Sequence, residues 1–169
     1  MKKIIYHGSG TRGIKELQPQ VPRDEINKSE PCAIYAIESR AMATILGFDA
    51  TELLKTFMCV NNTPDGPVIN YFADMSEEEL WSLDHLGSVY SFYEEDFQFH
   101  GNPTIAEYIS EVPQAPIAEY PFESIITEAI EQGVNIYCVD HGLYKDIEED
   151  MSQNDIIVER ENLRPLFIS

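Results

Sequence analysis

His7, Tyr35 and Glu107 are the side chains of this sequence whose types and settings could do chemistry together. His7 ends the apolar run Ile4-Ile5-Tyr6 and is followed at once by Gly8. An imidazole that can hydrogen-bond a ligand thus stands beside a residue that lets a ligand approach the backbone. Tyr35 lies in the middle of Ala33-Ile34-Tyr35-Ala36-Ile37 and offers a flat ring for stacking. Glu107, in Ala106-Glu107-Tyr108-Ile109, is a carboxylate inside an apolar-flanked segment. Taken singly, each has an ordinary structural explanation: a histidine bonded beside a turn, a core aromatic, a glutamate on the wet face of an alternating strand. The motifs of other chemistries are missing from the sequence. It has no GxxxxGK[ST], no GxGxxG opening a helix, no GxSxG elbow and no HExxH. Cys138-x-x-His141 is a lone pair without further zinc-ligand spacing.

The elements that must hold these residues follow from periodicity and punctuation. Residues 4–7 read as a strand stopped by Gly8-Ser9-Gly10, and residues 33–37 as the next strand. Between them, residues 8–31 carry three Gly and three Pro without a period, the length of loop that usually carries function. Ser39 supplies an N-cap for a helix through Ala41, Ala43 and Leu46, continuing toward Met58. Residues 61–66 read as a turn and 68–72 as a strand. Ser76-x-x-Glu79 is a capping box opening a short acidic helix, and 88–93 is a strand. Residues 94–104 read as a loop, 105–110 and 117–120 as strands, and 122–132 as a helix closed by Gly133. Residues 135–139, 156–159 and 166–168 read as later strands, with a solvated acidic loop over 146–155. Strands outnumber helices and few stand in βαβ order. The predicted class is therefore α+β, a mainly antiparallel sheet with peripheral helices to one side, in a single domain spanning 1–169.

Charge narrows the partners. Eleven Lys and Arg against thirty Asp and Glu leave a net charge of −19 on 169 residues. Such a chain lacks the general affinity for nucleic acid that Lys and Arg supply by releasing counterions, and it is repelled by anionic membranes. Residues 1–55 nevertheless hold eight of the basic residues against seven acids, so an anionic ligand belongs in the first third. Cys32, Cys59 and Cys138 are odd in number and far apart, without disulfide or C-x-x-C spacing. Neither a signal peptide nor a membrane span is legible, and the expectation is a cytoplasmic protein with reduced thiols.

In order and setting, Tyr6-His7-Gly8-Ser9, then Ala33-Ile34-Tyr35-Ala36 before an alanine-rich helix, then Glu107-Tyr108-Ile109, resemble the His–Tyr–Glu class of ADP-ribosyltransferases. Gly101-Asn102-Pro103-Thr104 is also similar to a stretch in the rifamycin-inactivating members. The resemblance touches about residues 4–47 and 87–120. It implies a split antiparallel sheet with NAD in a central cleft. Cofactor binding then falls to His7, Gly8, Ser9, Arg12 and Tyr35, and catalysis to Glu107, Tyr35 and His7. In that arrangement His7 bonds the adenosine-side ribose, the Gly8 backbone pairs with the nicotinamide amide, and Tyr35 stacks on the nicotinamide ring. Glu107 holds the nicotinamide-ribose 2′-hydroxyl. Arg12 or Lys15 meets the pyrophosphate. The chemistry suits the types: departing nicotinamide leaves an oxocarbenium-like cation, which a nearby carboxylate stabilises.

The rifamycin-modifying relatives carry their acid before the GNPT stretch, which points instead to Glu94, Glu95 or Asp96. Only one of these and Glu107 can be the catalytic acid. No ExE pair stands for arginine modification. The scarcity of basic residues disfavours an RNA acceptor, leaving a small molecule or a protein as the acceptor expected. A different class of reading is a non-enzymatic acidic interaction protein, a nucleic-acid mimic or immunity-type inhibitor whose carboxylates occupy a basic groove. The NAD reading requires His7, Tyr35 and one carboxylate to converge on one cleft.

Overall fold

The computed structural model describes residues 2–21, 31–48, 55–64, 66–101 and 106–168. Strands β1 (Ile4–Ser9), β2 (Ile34–Ile37), β5 (Gly87–Tyr93), β6 (Gln98–Phe99), β7 (Glu107–Ser110) and β8 (Ala118–Phe122) form one sheet in the order β6-β7-β2-β1-β5-β8. Every neighbouring pair in it is antiparallel. A second sheet joins β3 (Thr56–Thr63), β4 (Gly66–Asp74) and β9 (Val134–Val139), with β3–β4 antiparallel and β4–β9 parallel. Five α-helices accompany them among the described residues: α1 (Arg40–Ile45), α2 (Glu77–Ser82), α3 (Ile125–Glu131), α4 (His141–Glu149) and α5 (Asn154–Arg160). The fold is α+β with a large antiparallel sheet, as the sequence predicts.

Period-two alternation sorts the strand residues into three cores. Ile37, Val89 and Phe122 of the first sheet pack with α1, α3 and the inner face of the second sheet, where Tyr71, Ala73, Val134 and Ile136 alternate inward. Their neighbours in sequence, Phe72, Tyr137 and Val139, turn outward onto Tyr144 and Ile147 of α4 and Ile157 of α5. The far face of the first sheet buries Ile5, Ile34, Ala36, Tyr90 and Phe92 with Leu17 and Tyr108. Each fully buried Ile or Phe here stabilises the fold by roughly 1.5–3 kcal/mol.

Several expectations are corrected. The helix after Ser39 ends at Ile45, and Met58 belongs to β3, which runs to Thr63 and shortens the expected turn at 61–66. Residues 146–155 are not a loop, because α4 occupies His141–Glu149 and Asn154–Asp155 open α5. The Asp140 carboxylate caps α4 by accepting from the Gly142 and Leu143 amides. Buried Tyr144 and Ile147, three apart, give α4 its core face, hidden in sequence among the acids of its wet face. Residues 156–159 are helical and not a strand: Ile157 is buried while Ile156 is 58% exposed. Residues 166–168 form no strand, although the Leu166 amide still bonds Ile136 O at 2.9 Å. Residues 94–99 hold a 3₁₀ turn (Glu94–Asp96) and β6. Phe122 ends β8, and α3 starts only after the Ser124 cap. Arg23, Lys28, Asn102, Pro103, Thr104 and Ile105 lie outside the described residues.

Candidate functional site

The first sheet is parted near its middle. β1 pairs with β5 along its whole length, Ile4 through Ser9, but with β2 at a single position, Tyr6 with Ile37. β2 in turn pairs fully with β7. Two three-stranded halves, β6-β7-β2 and β1-β5-β8, therefore meet at one rung, and β1 leaves β2 over His7, Gly8 and Ser9. Across this opening the His7 ring reaches Tyr35: Nδ1 lies 2.7 Å from the Tyr35 carbonyl oxygen. A carbonyl only accepts, so Nδ1 carries the proton and Nε2 is the acceptor of the neutral ring. Burial, which outweighs the bond to Tyr35, holds the His7 pKa below its ordinary value.

Tyr35 is held at both ends. Its hydroxyl donates to Pro31 O at 2.8 Å, and its ring meets His100 edge-on at 6.3 Å between centroids. Glu107 opens β7 opposite Ile37, one rung along from the Tyr35–Ile109 pair, so the two side chains share a face of the sheet. His7 does not share it. It pairs with Tyr90 and alternates to the face of Ile5, whereas Tyr6, paired to Ile37, lies with Tyr35 and Glu107. The expectation that the three converge on one cleft is therefore corrected: His7 lies on one face of the sheet and Tyr35 with Glu107 on the other.

Gly8 has a packing reason for being glycine: a Cβ there would lie 1.7 Å from the backbone oxygen of Ala43 in α1. The space attributed to an approaching ligand is taken by the helix. The Ser9 hydroxyl accepts from the Thr11 amide at 3.1 Å. Arg12 is also engaged, since Nε donates to Gly87 O at 3.1 Å, Nη1 pairs with Glu123 at 2.9 Å, and Nη2 donates to Phe122 O. It straps β1's exit loop onto β5 and β8. Lys2, Lys3 and Arg40 pair with Glu95, Glu38 and Glu128, so cations of the first third are largely balanced locally. Lys15 is exposed.

The rival acids stand elsewhere. Glu94–Asp96 form the 3₁₀ turn just past Tyr93, which pairs with Ile4, at the opposite end of β1 from Gly8. Glu94 lies 3.7 Å from Lys3, and Glu95 pairs with Lys2. Lys3 also donates to the Tyr108 hydroxyl at 2.7 Å, and Glu38, bonded by Lys3 and Tyr108, is held below the usual carboxylate range. Lys2, Lys3, Glu94, Glu95 and Tyr108 border a hollow of about 330 Å³ on the face of Tyr108, away from Tyr35 and Glu107.

Two groups carry more here than their sequence suggests. Glu119 accepts from the Gly13 amide and the Ser88 hydroxyl, both at 2.7 Å, bonds that hold its carboxyl below the ordinary range. Fully buried Tyr90 joins this network: its hydroxyl lies 2.8 Å from Thr11 O and accepts from the Ile14 amide at 3.1 Å. Together they fix the loop after β1, which the composition of that loop alone did not foretell. The other is His100, whose amide donates to Glu107 O at 2.8 Å. Gly101 (φ +90°) and Ala106 (φ +44°), both left-handed, flank this pair. A left-handed non-glycine residue is a strained position of the kind that gathers at functional sites. No helix among the described residues is long and apolar enough to cross a membrane. No protein-family model, no curated protein and no solved structure matches the chain.

Proposed function

We propose that this protein is an NAD-dependent ADP-ribosyltransferase, which transfers ADP-ribose to an acceptor and releases nicotinamide. The observation that carries the reading is the single-rung junction of β1 with β2, bordered by His7, Tyr35 and Glu107. Tyr35 and Glu107, which share a face beside the opening, are the two of the three that can meet one nicotinamide ribose there. His7, from the opposite face, holds β1 and β2 at this spacing through its bond to the Tyr35 carbonyl. Main-chain groups of β1 beyond Tyr6 have no β2 partner among the described residues and leave the sheet open beside Tyr35. Tyr35, its ring held at the hydroxyl and at the edge, supports the planar nicotinamide. Glu107 is the acid, because it shares a face with Tyr35, whereas Glu94, Glu95 and Asp96 lie past the other end of β1. It bonds the ribose 2′-hydroxyl and stabilises the cation formed as nicotinamide leaves. With Arg12 committed to the scaffold, exposed Lys15 is the cation for the pyrophosphate. The acceptor is a small molecule or a protein.

Calorimetric titration with NAD tests this directly. Saturable binding is expected for the wild type, weakened in Tyr35→Ala by about 1–3 kcal/mol, the scale of an aromatic stacking contact. Glu107→Gln is expected to bind NAD as the wild type does and to lose nicotinamide release, since its bond strengthens only as charge develops. No binding at about millimolar NAD, weaker than roughly −4 kcal/mol, rejects the cofactor and leaves the acidic interaction protein as the better account.

A further inference from the structure

We propose that His100 is the general base that takes the proton of the acceptor, a hydroxyl compound, in this transfer; the inference rests on the reading just given. Its amide bond to Glu107 O, 2.8 Å, continues the β6–β7 register by one rung beyond the Phe99–Tyr108 pair. The His100 and Glu107 side chains therefore lie side by side on one face of the sheet. Tyr35 is the diagonal neighbour on that face, with its ring centroid 6.3 Å from the imidazole and the planes at 77°. The register puts Glu107 from β7 and Tyr35 from β2 beside His100.

The other described histidines lie away from this face. His85 Nδ1 lies 3.0 Å from Leu86 O, and His141 Nδ1 lies 2.6 Å from Asp74. His7 holds the Tyr35 carbonyl from the opposite face. His100 is half-buried and immediately precedes Gly101, whose φ of +90° turns the chain away from the sheet. Imidazole is the side chain that both accepts and releases a proton near neutral pH.

The step balances as follows. The bond from the nicotinamide-ribose C1′ to the pyridinium nitrogen breaks, and its electron pair leaves with neutral nicotinamide. An oxygen lone pair of the acceptor forms the new C1′–O bond, and the hydroxyl proton passes to His100, then to water. Glu107 stabilises the sugar cation, and His100 handles the proton. One face thus supplies the two functions on adjacent strands.

The test uses the whole chain with NAD and water, the simplest hydroxyl acceptor, measuring nicotinamide release from about pH 5.5 to about 9. His100→Gln is expected to lower kcat about 10²-fold with KM for NAD unchanged and to alter the pH profile of the wild type, with free imidazole restoring part of the rate to His100→Ala. Thermal unfolding of both variants checks that they fold, and the imidazole response is one that a merely structural role would not give. Wild-type rate and profile in His100→Gln overturn the assignment while leaving the transferase reading intact. A folded wild type that neither binds nor cleaves NAD overturns both.

Discussion

At the scale of single residues, His7 links the site to the stability of the fold. It is neutral and desolvated, and its Nδ1–H is bound to the Tyr35 carbonyl. Its pKa in the folded protein lies below its unfolded value of about 6.5. As pH falls through that unfolded value, the unfolded chain takes up a proton that the folded chain refuses. Stability from this residue is therefore fully present above about pH 6.5 and is lost as the pH falls toward the depressed folded pKa, by at most about 1.4 kcal/mol per pH unit. Urea denaturation at several pH values between about 7.5 and 5.5 should show this slope in the wild type. His7→Asn keeps a donor near Nδ1 but cannot titrate, and it should flatten the curve over this range. An equally steep curve for His7→Asn would assign the acid sensitivity to other groups. The carboxylates Glu38, Glu79 and Glu119, also depressed, act in the same direction only at lower pH.

At the scale of elements, glycine decides how closely β1 and α1 approach. Gly8 meets the Ala43 carbonyl, and a Cβ on Gly47 would come within 3.2 Å of the Ser9 amide nitrogen. On the other side, a Cβ on Gly87 would lie 2.5 Å from Ser9 O. These contacts hold the end of β1 where it parts from β2, so the opening is set by backbone packing. Gly8→Ala forces the helix backbone to move and should cost at least about 2 kcal/mol. Gly13 is left-handed at φ +72° but has open space around its Cβ position. Gly13→Ala should therefore cost only the conformational term, roughly 1–2 kcal/mol. Chemical denaturation of the two variants compares them, and a Gly8→Ala protein no less stable than Gly13→Ala would mean that β1 and α1 do not touch here.

This packing also shows what sequence can carry. The apolar and aromatic run of Val89, Tyr90, Phe92 and Tyr93, and the Ser76–Glu79 box, are local signals and led to the right elements. So did the short runs around Tyr35 and Glu107, hence their placement on strands. Local signals contain neither strand order nor register. The parity separating His7 from Tyr35, and the proximity of His100 to Glu107, arise from pairings between distant segments. α5 was illegible for a related reason. Its run Ile156-Ile157-Val158 has β propensity, but Asn154 anchors the turn by bonding Asn61 and Asn70 of the second sheet. Tertiary docking overrides propensity there.

For the whole molecule, the dominant long-range term is self-repulsion. The charge of −19 is concentrated after residue 55, where three basic residues face twenty-three acids. Most described cations of the first third are already matched, including Lys2 with Glu95, Lys3 with Glu38, Arg12 with Glu123 and Arg40 with Glu128. Surface pairs of this kind contribute at most about 1 kcal/mol each, and salt weakens them. The unmatched acids of α4 and α5 repel one another across distances comparable with the screening length, about 10 Å at 0.1 M salt. Sodium chloride therefore acts in two opposing ways, weakening a few short pairs and relieving a larger number of long-range repulsions. The excess of acids makes relief the larger effect. Thermal unfolding at neutral pH should shift upward between about 20 mM and about 0.5 M sodium chloride, by about 2–4 °C for each kcal/mol of repulsion removed. A midpoint that falls with salt would mean that the ion pairs outweigh the repulsion. Under the proposed transferase reading, the same negative field would favour a cationic acceptor, whose encounter with the protein should slow as salt is added.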